Sequence, residues 1–131
     1  MGCLLLAGRY TLLARTAAAE VMPKCLAAGT GVVIGGVFNS GILATGAIAG
    51  AHFDCGPASV DIAARVNAME AAAKAQGGSL AAAALKFVLV HPAVASVLIG
   101  SAKASSLQRN AATLAQAPNF DWTAFDPFAL V

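Results

Sequence analysis

The spacing of apolar positions changes several times along this chain, and each change marks an element. Cys3 to Tyr10 is a short apolar run, broken by one glycine and ending in Arg-Tyr, which predicts a buried strand. Thr16 to Ala28 is alanine-rich with Val21, Cys25 and Leu26 at helical spacing, and Gly29 stands where a helix needs a C-terminal cap. Gly31 to Ile34 is continuous and β-branched, the pattern of a strand covered on both faces. Gly35 to Gly50 is rich in glycine and small polar residues and reads as loop. Further on, Ser59 caps a helix with the apolar stripe Ile62, Val66, Met69 and Ala73, Asp61 near its positive end, and Gly77-Gly78 to stop it. Ser79 caps another, Leu80 to Val90, ended by His91-Pro92. Val94 to Ile99 is a further short strand, and the polar loop GSAKASSLQRN leads into a helix over Ser105–Gln116. Residues 111–131 hold the end of that helix and an aromatic tail.

The order is strand, helix, strand, two helices, strand, helix. Short apolar strands alternating with helices predict an α/β fold with a parallel sheet built from βαβ units. Three parallel strands make a poor fold by themselves, because their crossover helices cover only part of what the strands expose. A chain of 131 residues has room for a single domain with a modest core.

Composition sharpens this. The chain is 59% hydrophobic and 11% charged, with a mean hydropathy of +0.77. An ordinary soluble domain is about 45–50% apolar and about 25% charged. Such an excess fits either a membrane-associated protein or the inner part of something larger. The net charge of only +2, with eight scattered Lys and Arg against six Asp and Glu, argues against nucleic acid as a partner. Cys3, Cys25 and Cys55 are odd in number and lack metal-ligand spacing, so they read as reduced thiols of a cytoplasmic protein. The N-terminal stretch has no basic region before its apolar run, and Leu6 stands where myristoylation wants Ser or Thr.

Residues 31–50, GVVIGGVFNSGILATGAIAG, have no charge and the length of a membrane span. Against a span stand six glycines, the polar residues Asn39, Ser40 and Thr45, and the lack of closely flanking Lys or Arg. The strand reading accounts for more. Val32-Val33-Ile34 fills an interior, and Gly35-Gly36 with Asn39-Ser40-Gly41 turns the chain at the strand's C-terminal end. There glycines admit a ligand close to the backbone, and Asn and Ser offer it neutral hydrogen bonds.

Several segments taken together resemble a known family. RYTLL after a strand, GVVIGGVFNSGIL, AAALKFVLVHPAVASVLIG and GSAKASSLQRN are similar, in order and spacing, to the aldo-keto reductases. Within that family the likeness is to the branch that includes L-fucose and D-threo-aldose 1-dehydrogenases and pyridoxal 4-dehydrogenase, and it runs from about Cys3 to Asn110. The resemblance implies a partial (β/α)8 TIM barrel comprising about its last three βα units, with an extra C-terminal segment. Strand six would be Cys3–Tyr10, strand seven Val32–Gly36 and strand eight Ser96–Gly100. It also implies NAD(P)-dependent oxidoreduction of a sugar or a small aldehyde or alcohol. The family's catalytic Asp, Tyr, Lys and His come from earlier strands, and no position here matches them. The chain is therefore expected to be inactive alone.

What remains by resemblance is cofactor binding. Gly36, Phe38, Ser40 and Gly41 would line the pyrophosphate side of the dinucleotide, Gly100, Ser101, Ala102 and Lys103 would approach the adenosine phosphate, and Asn110 would face the adenine. Lys103 slightly favours NADP, whereas Ser106 and Arg109 replace residues common in the family, so NAD and NADP both stay open. Tyr10 would border the nicotinamide, and Gly35 stands where relatives often stack an aromatic ring. His91 reads as structural, and His52, near Asp54 and Cys55, as the rim of a loop or substrate pocket; neither marks a metal site. Two alternatives accompany this reading: a non-catalytic assembly module that completes a barrel with another chain or by self-association, and a small membrane protein spanning at 31–50.

Overall fold

A computed structural model describes residues 2–48, 50–53, 56–99, 104–115 and 117–130, the side chains of 104–107 excepted. Three strands, β1 (Cys3–Ala7), β2 (Gly31–Gly35) and β5 (Val94–Val97), form a parallel sheet in the order β1-β2-β5. Helix α1 (Val21–Ala28) joins the first pair. A short helix α2 (Ile42–Thr45), a small antiparallel hairpin β3 (His52–Phe53) and β4 (Gly56–Pro57), and helices α3 (Val60–Ala75) and α4 (Leu80–Leu89) lie between the second pair. Helix α5 (Ala104–Ala115) follows β5, and the tail ends in two 3-10 turns, Trp122–Ala124 and Asp126–Phe128. The parallel sheet and its helices agree with the βαβ order read from the sequence.

Local chemistry explains most element ends. Strand β1 stops at Ala7, short of the expected Tyr10, because Gly8 turns left-handed (φ 67°) and donates its N–H to Gly35 O at 3.0 Å. Helix α1 begins at Val21, not Thr16. Pro23 has no N–H and fits only within a first turn, so the preceding residues form turns instead. Gly29 does cap this helix in the left-handed region (φ 70°). Ser59 Oγ accepts from Ile62 N–H and Ser79 Oγ from Ala82 N–H, each at 3.2 Å, starting α3 and α4 where expected. The stripe Ile62, Val66, Met69 and Ala73 is buried as read. Gly78 does more than stop a helix: a Cβ there would overlap the Phe120 ring and lie 3.1 Å from Pro118 Cδ.

The expectation for β2 holds on one face only. Leu4 pairs with Val32 and Leu6 with Ile34, and both β2 side chains are fully buried in the core with Met22 and Leu85. On the opposite face Leu5 pairs with Val33, and Leu5 is 59% exposed while Val33 is half-buried. The apolar excess in the composition therefore partly serves a surface that the described residues leave open. Within the stretch 31–50, residues 31–45 are β2, a tight turn and the four residues of α2 rather than one long helix. Among the described residues no helix is long and apolar enough to cross a membrane.

His91, at the end of α4, is structural as read. Its Nδ1 accepts the Ala93 N–H at 3.0 Å, and burial holds the imidazole below its ordinary value of 6.5. The folded chain thus keeps His91 neutral where the unfolded chain takes a proton. Its contribution to stability is complete above the unfolded value and is lost as pH falls through the folded one. We expect the difference in urea midpoint between wild type and His91→Gln to be larger at pH 7.5 than at pH 5. Midpoints that fall in parallel would show that another group carries the acid sensitivity.

Candidate site at the carboxyl ends of the strands

In parallel α/β folds the carboxyl ends of the strands are where loops meet a ligand. Here the chain leaves β1 through Gly8 and β2 through Gly36, and these two glycines lie against each other. A Cβ on Gly36 (φ 62°) would stand 3.1 Å from Gly8 N. After Gly36 the chain makes a tight turn, with Asn39 N–H donating to Gly36 O at 3.0 Å and Gly41 N–H to Phe38 O at 3.2 Å. Asn39, Ser40 and Gly41 are all left-handed, at φ 49°, 62° and 95°.

Two clefts open around this turn. One, of about 190 Å³, is lined by Ala7, Gly8, Arg9, Gly36, Asn39, Ser40 and Phe53. The other, of about 240 Å³, is lined by Gly36, Val37, Phe38, Ser40, Gly41, Leu98 and Ile99. The residues singled out in the sequence, Gly36, Phe38, Ser40 and Gly41, are therefore brought together, with Gly36 and Ser40 shared by both clefts. Asn110 is elsewhere, in an apolar cleft of about 340 Å³ between α4, β5 and α5 beside Leu85, Leu89 and Leu114. Gly100, Ser101, Ala102 and Lys103 lie outside the described residues, as do Asp54 and Cys55 beside His52. A further cleft of about 220 Å³, near Cys25 and Gly31, lies at the amino ends of the strands.

Two expectations are corrected. Tyr10 does not border an open site: it is 6% exposed, with its ring centroid 5.3 Å from that of Phe87 and 5.4 Å from that of His91. Burial pushes its phenol above the ordinary value, partly offset by the nearby Arg15 guanidinium. Asn39 does not offer its side chain freely to a ligand either, because its Oδ1 accepts the Thr11 hydroxyl at 2.5 Å. Arg9 and Phe53, which line the first cleft, and Thr11, bonded to Asn39, are site residues that no motif of the sequence points to. Thr11 carried a signal nonetheless, as a polar residue inside the apolar run TLL immediately after a strand. Cys3 and Cys25 are free thiols, and among the described residues no group of three His, Cys, Asp or Glu is placed to hold a metal ion.

The fold and this candidate site define a segment of a parallel α/β protein with two clefts at the carboxyl ends of its strands. Residues 1–126 match the model of the aldo/keto reductase family, and the chain belongs to that family, whose fold is the (β/α)8 barrel. It is 40% identical over 124 residues to a pyridoxal 4-dehydrogenase of Microbacterium luteolum, which covers 94% of this chain and 36% of that protein. It is 36% identical over 109 residues to a D-threo-aldose 1-dehydrogenase of a Pseudomonas species, covering 82% of this chain and 33% of that protein. The chain thus spans about a third of the length of these relatives. Three parallel strands with their helices are what a third of such a barrel supplies.

Proposed function

We propose that this chain is the C-terminal, cofactor-binding portion of an NAD(P)-dependent oxidoreductase acting on a sugar or a small aldehyde or alcohol. The observation that carries this reading is the convergence of Gly36, Phe38, Ser40 and Gly41 on one left-handed turn at the strand carboxyl ends. The turn suits an extended dinucleotide diphosphate. Ser40 is exposed, and a side chain at Gly41 would meet no protein atom within 4 Å, so the cleft mouth is open to a ligand lying along the backbone. By family likeness Lys103 would take an adenosine phosphate, which favours NADP, and Asn110 would face the adenine.

When bound, the dinucleotide supplies or accepts hydride at its nicotinamide ring. The residues of this chain would bind and orient it, while the acid–base group that moves the substrate proton lies outside these 131 residues. Ligand pockets usually enclose about 300–1,000 Å³, and the clefts of 190 and 240 Å³ at the turn each fall short of that. The chain alone therefore offers part of a binding site.

Two titrations of the isolated chain test this. NADPH at micromolar concentration should give no saturable change in nicotinamide fluorescence and no turnover of an aldose or aldehyde. NADP⁺ at millimolar concentration should shift backbone amide resonances at Gly36, Ser40 and Gly41 ahead of those in α3. Strong turnover by the pure chain would overturn the reading, and so would amide shifts confined to other surfaces. Among the described residues the outer edges of β1 and β5 have no strand partner, which favours a second reading, an assembly module that completes a barrel with a complementary chain. Co-purification with such a chain in fixed stoichiometry would support it.

A further inference from the structure

Thr11 is fully buried and Asn39 is 6% exposed, and they are the two buried polar residues among those described. Thr11 sits in a rigid setting. Its N–H donates to Ala14 O at 2.7 Å, its Oγ1 accepts Ala14 N–H at 2.9 Å, and Leu12 and Leu13 beside it are fully buried. The hydroxyl's own proton has two acceptors in range, Asn39 Oδ1 at 2.5 Å and Ala14 O at 3.4 Å, and the shorter bond is the one to Asn39. One hydroxyl thereby ties the segment after β1 to the turn after β2, across 28 residues of sequence.

The turn needs such a tie. Asn39 and Ser40 are consecutive non-glycine residues in the left-handed region, followed by left-handed Gly41. Asparagine visits that region at small cost, whereas serine, with its Cβ crowding the carbonyl, does so reluctantly. Strained backbone of this kind persists where surrounding structure over-determines it, and such places cluster at binding sites. We propose that Thr11 and Asn39 form a latch that holds the 38–41 turn in its left-handed course and so keeps Ser40 and Gly41 at the mouths of both clefts. They are positioning residues. Their value to binding rests on the dinucleotide reading of those clefts, whereas the latch itself does not.

The test uses the ¹⁵N-labelled full chain and the variants Thr11→Val, Thr11→Ser and Asn39→Gly. Left-handed residues give a strong intraresidue amide–Hα nuclear Overhauser effect, so Asn39 and Ser40 report their own conformation. We expect Thr11→Val to abolish the left-handed signal of Ser40 and to speed amide exchange at Gly41 by roughly tenfold, since the tie that opposes local opening is gone. Thr11→Ser keeps the hydroxyl and should retain both signals. Asn39→Gly accepts φ 49° without strain and keeps the fold, yet removes the acceptor, so Ser40 should relax as in Thr11→Val. If Thr11→Val does not fold, Asn39→Gly and Thr11→Ser decide the matter. The latch is overturned if Ser40 stays left-handed and Gly41 exchange stays within about twofold of wild type without the hydroxyl or the acceptor. A millimolar NADP⁺ titration separates the two claims. Wild-type amides that do not respond refute the cofactor reading and leave the latch to the conformational signals. Responses that survive relaxation of the turn refute the positioning role.

Discussion

Phe125→Ala should lower the stability of this chain by about 3–5 kcal/mol, the usual cost of deleting a buried phenyl ring. Phe125 is fully buried in the aromatic tail, 6.0 Å from Phe120 and 5.8 Å from Trp122 between ring centroids. Trp122 in turn meets Phe87 of α4 edge-on at 5.4 Å. The tail is held to the body by polar contacts, most of them to its main chain. Lys86 Nζ donates to Pro118 O and to Asn119 Oδ1, each at 2.9 Å. Arg65 Nη1 reaches Phe128 O at 3.1 Å and Ala129 O at 3.2 Å, and Leu130 N–H donates to Leu13 O at 2.6 Å. Removing the Phe125 ring leaves these bonds framing a cavity. A domain of this size is stable by only about 5–15 kcal/mol, so the variant would sit near the folding threshold. Equilibrium urea unfolding checks this, with Phe125→Leu as a control that keeps most of the volume and should lose much less. Equal midpoints for wild type and Phe125→Ala would mean that the tail is not part of the cooperative unit.

The second large effect concerns association. Among the described residues β1 and β5 each pair on one side only, and Leu5 at 59% and Leu98 at 57% exposure stand beside those edges. Unpaired strand edges flanked by apolar side chains template pairing with another chain. The purified chain is expected to elute from size-exclusion chromatography as a concentration-dependent assembly. Leu5→Lys should move at least half of the material to the monomer position, because a charge at an edge opposes pairing. A monodisperse wild-type monomer with a cooperative melt would refute this.

Much of the fold was legible in the sequence for local reasons. Ser59 and Ser79 sit where a side-chain oxygen can take the exposed N–H groups of a helix start, and Gly29 where a left-handed residue ends one. Boundaries depart from the apolar pattern where a single backbone preference outweighs it. Gly8 bent the chain off the sheet before Tyr10, and Pro23 delayed α1. The turn at Gly36–Gly41 was legible from its glycines, although the hairpin β3–β4 and the short α2 carry too little periodicity to stand out.

By itself the sequence determined the parallel βαβ order, the helix caps and, through its likeness to the aldo-keto reductases, the turn that faces the clefts. These follow from propensity, periodicity and motif, which are properties of neighbouring residues. Tertiary structure alone decided that Tyr10 joins the core rather than an open site, that Asn39 faces Thr11 rather than solvent, and that the described residues leave one face of the sheet open. Each of those depends on which residues meet across the fold, and separation along a single chain does not encode that meeting.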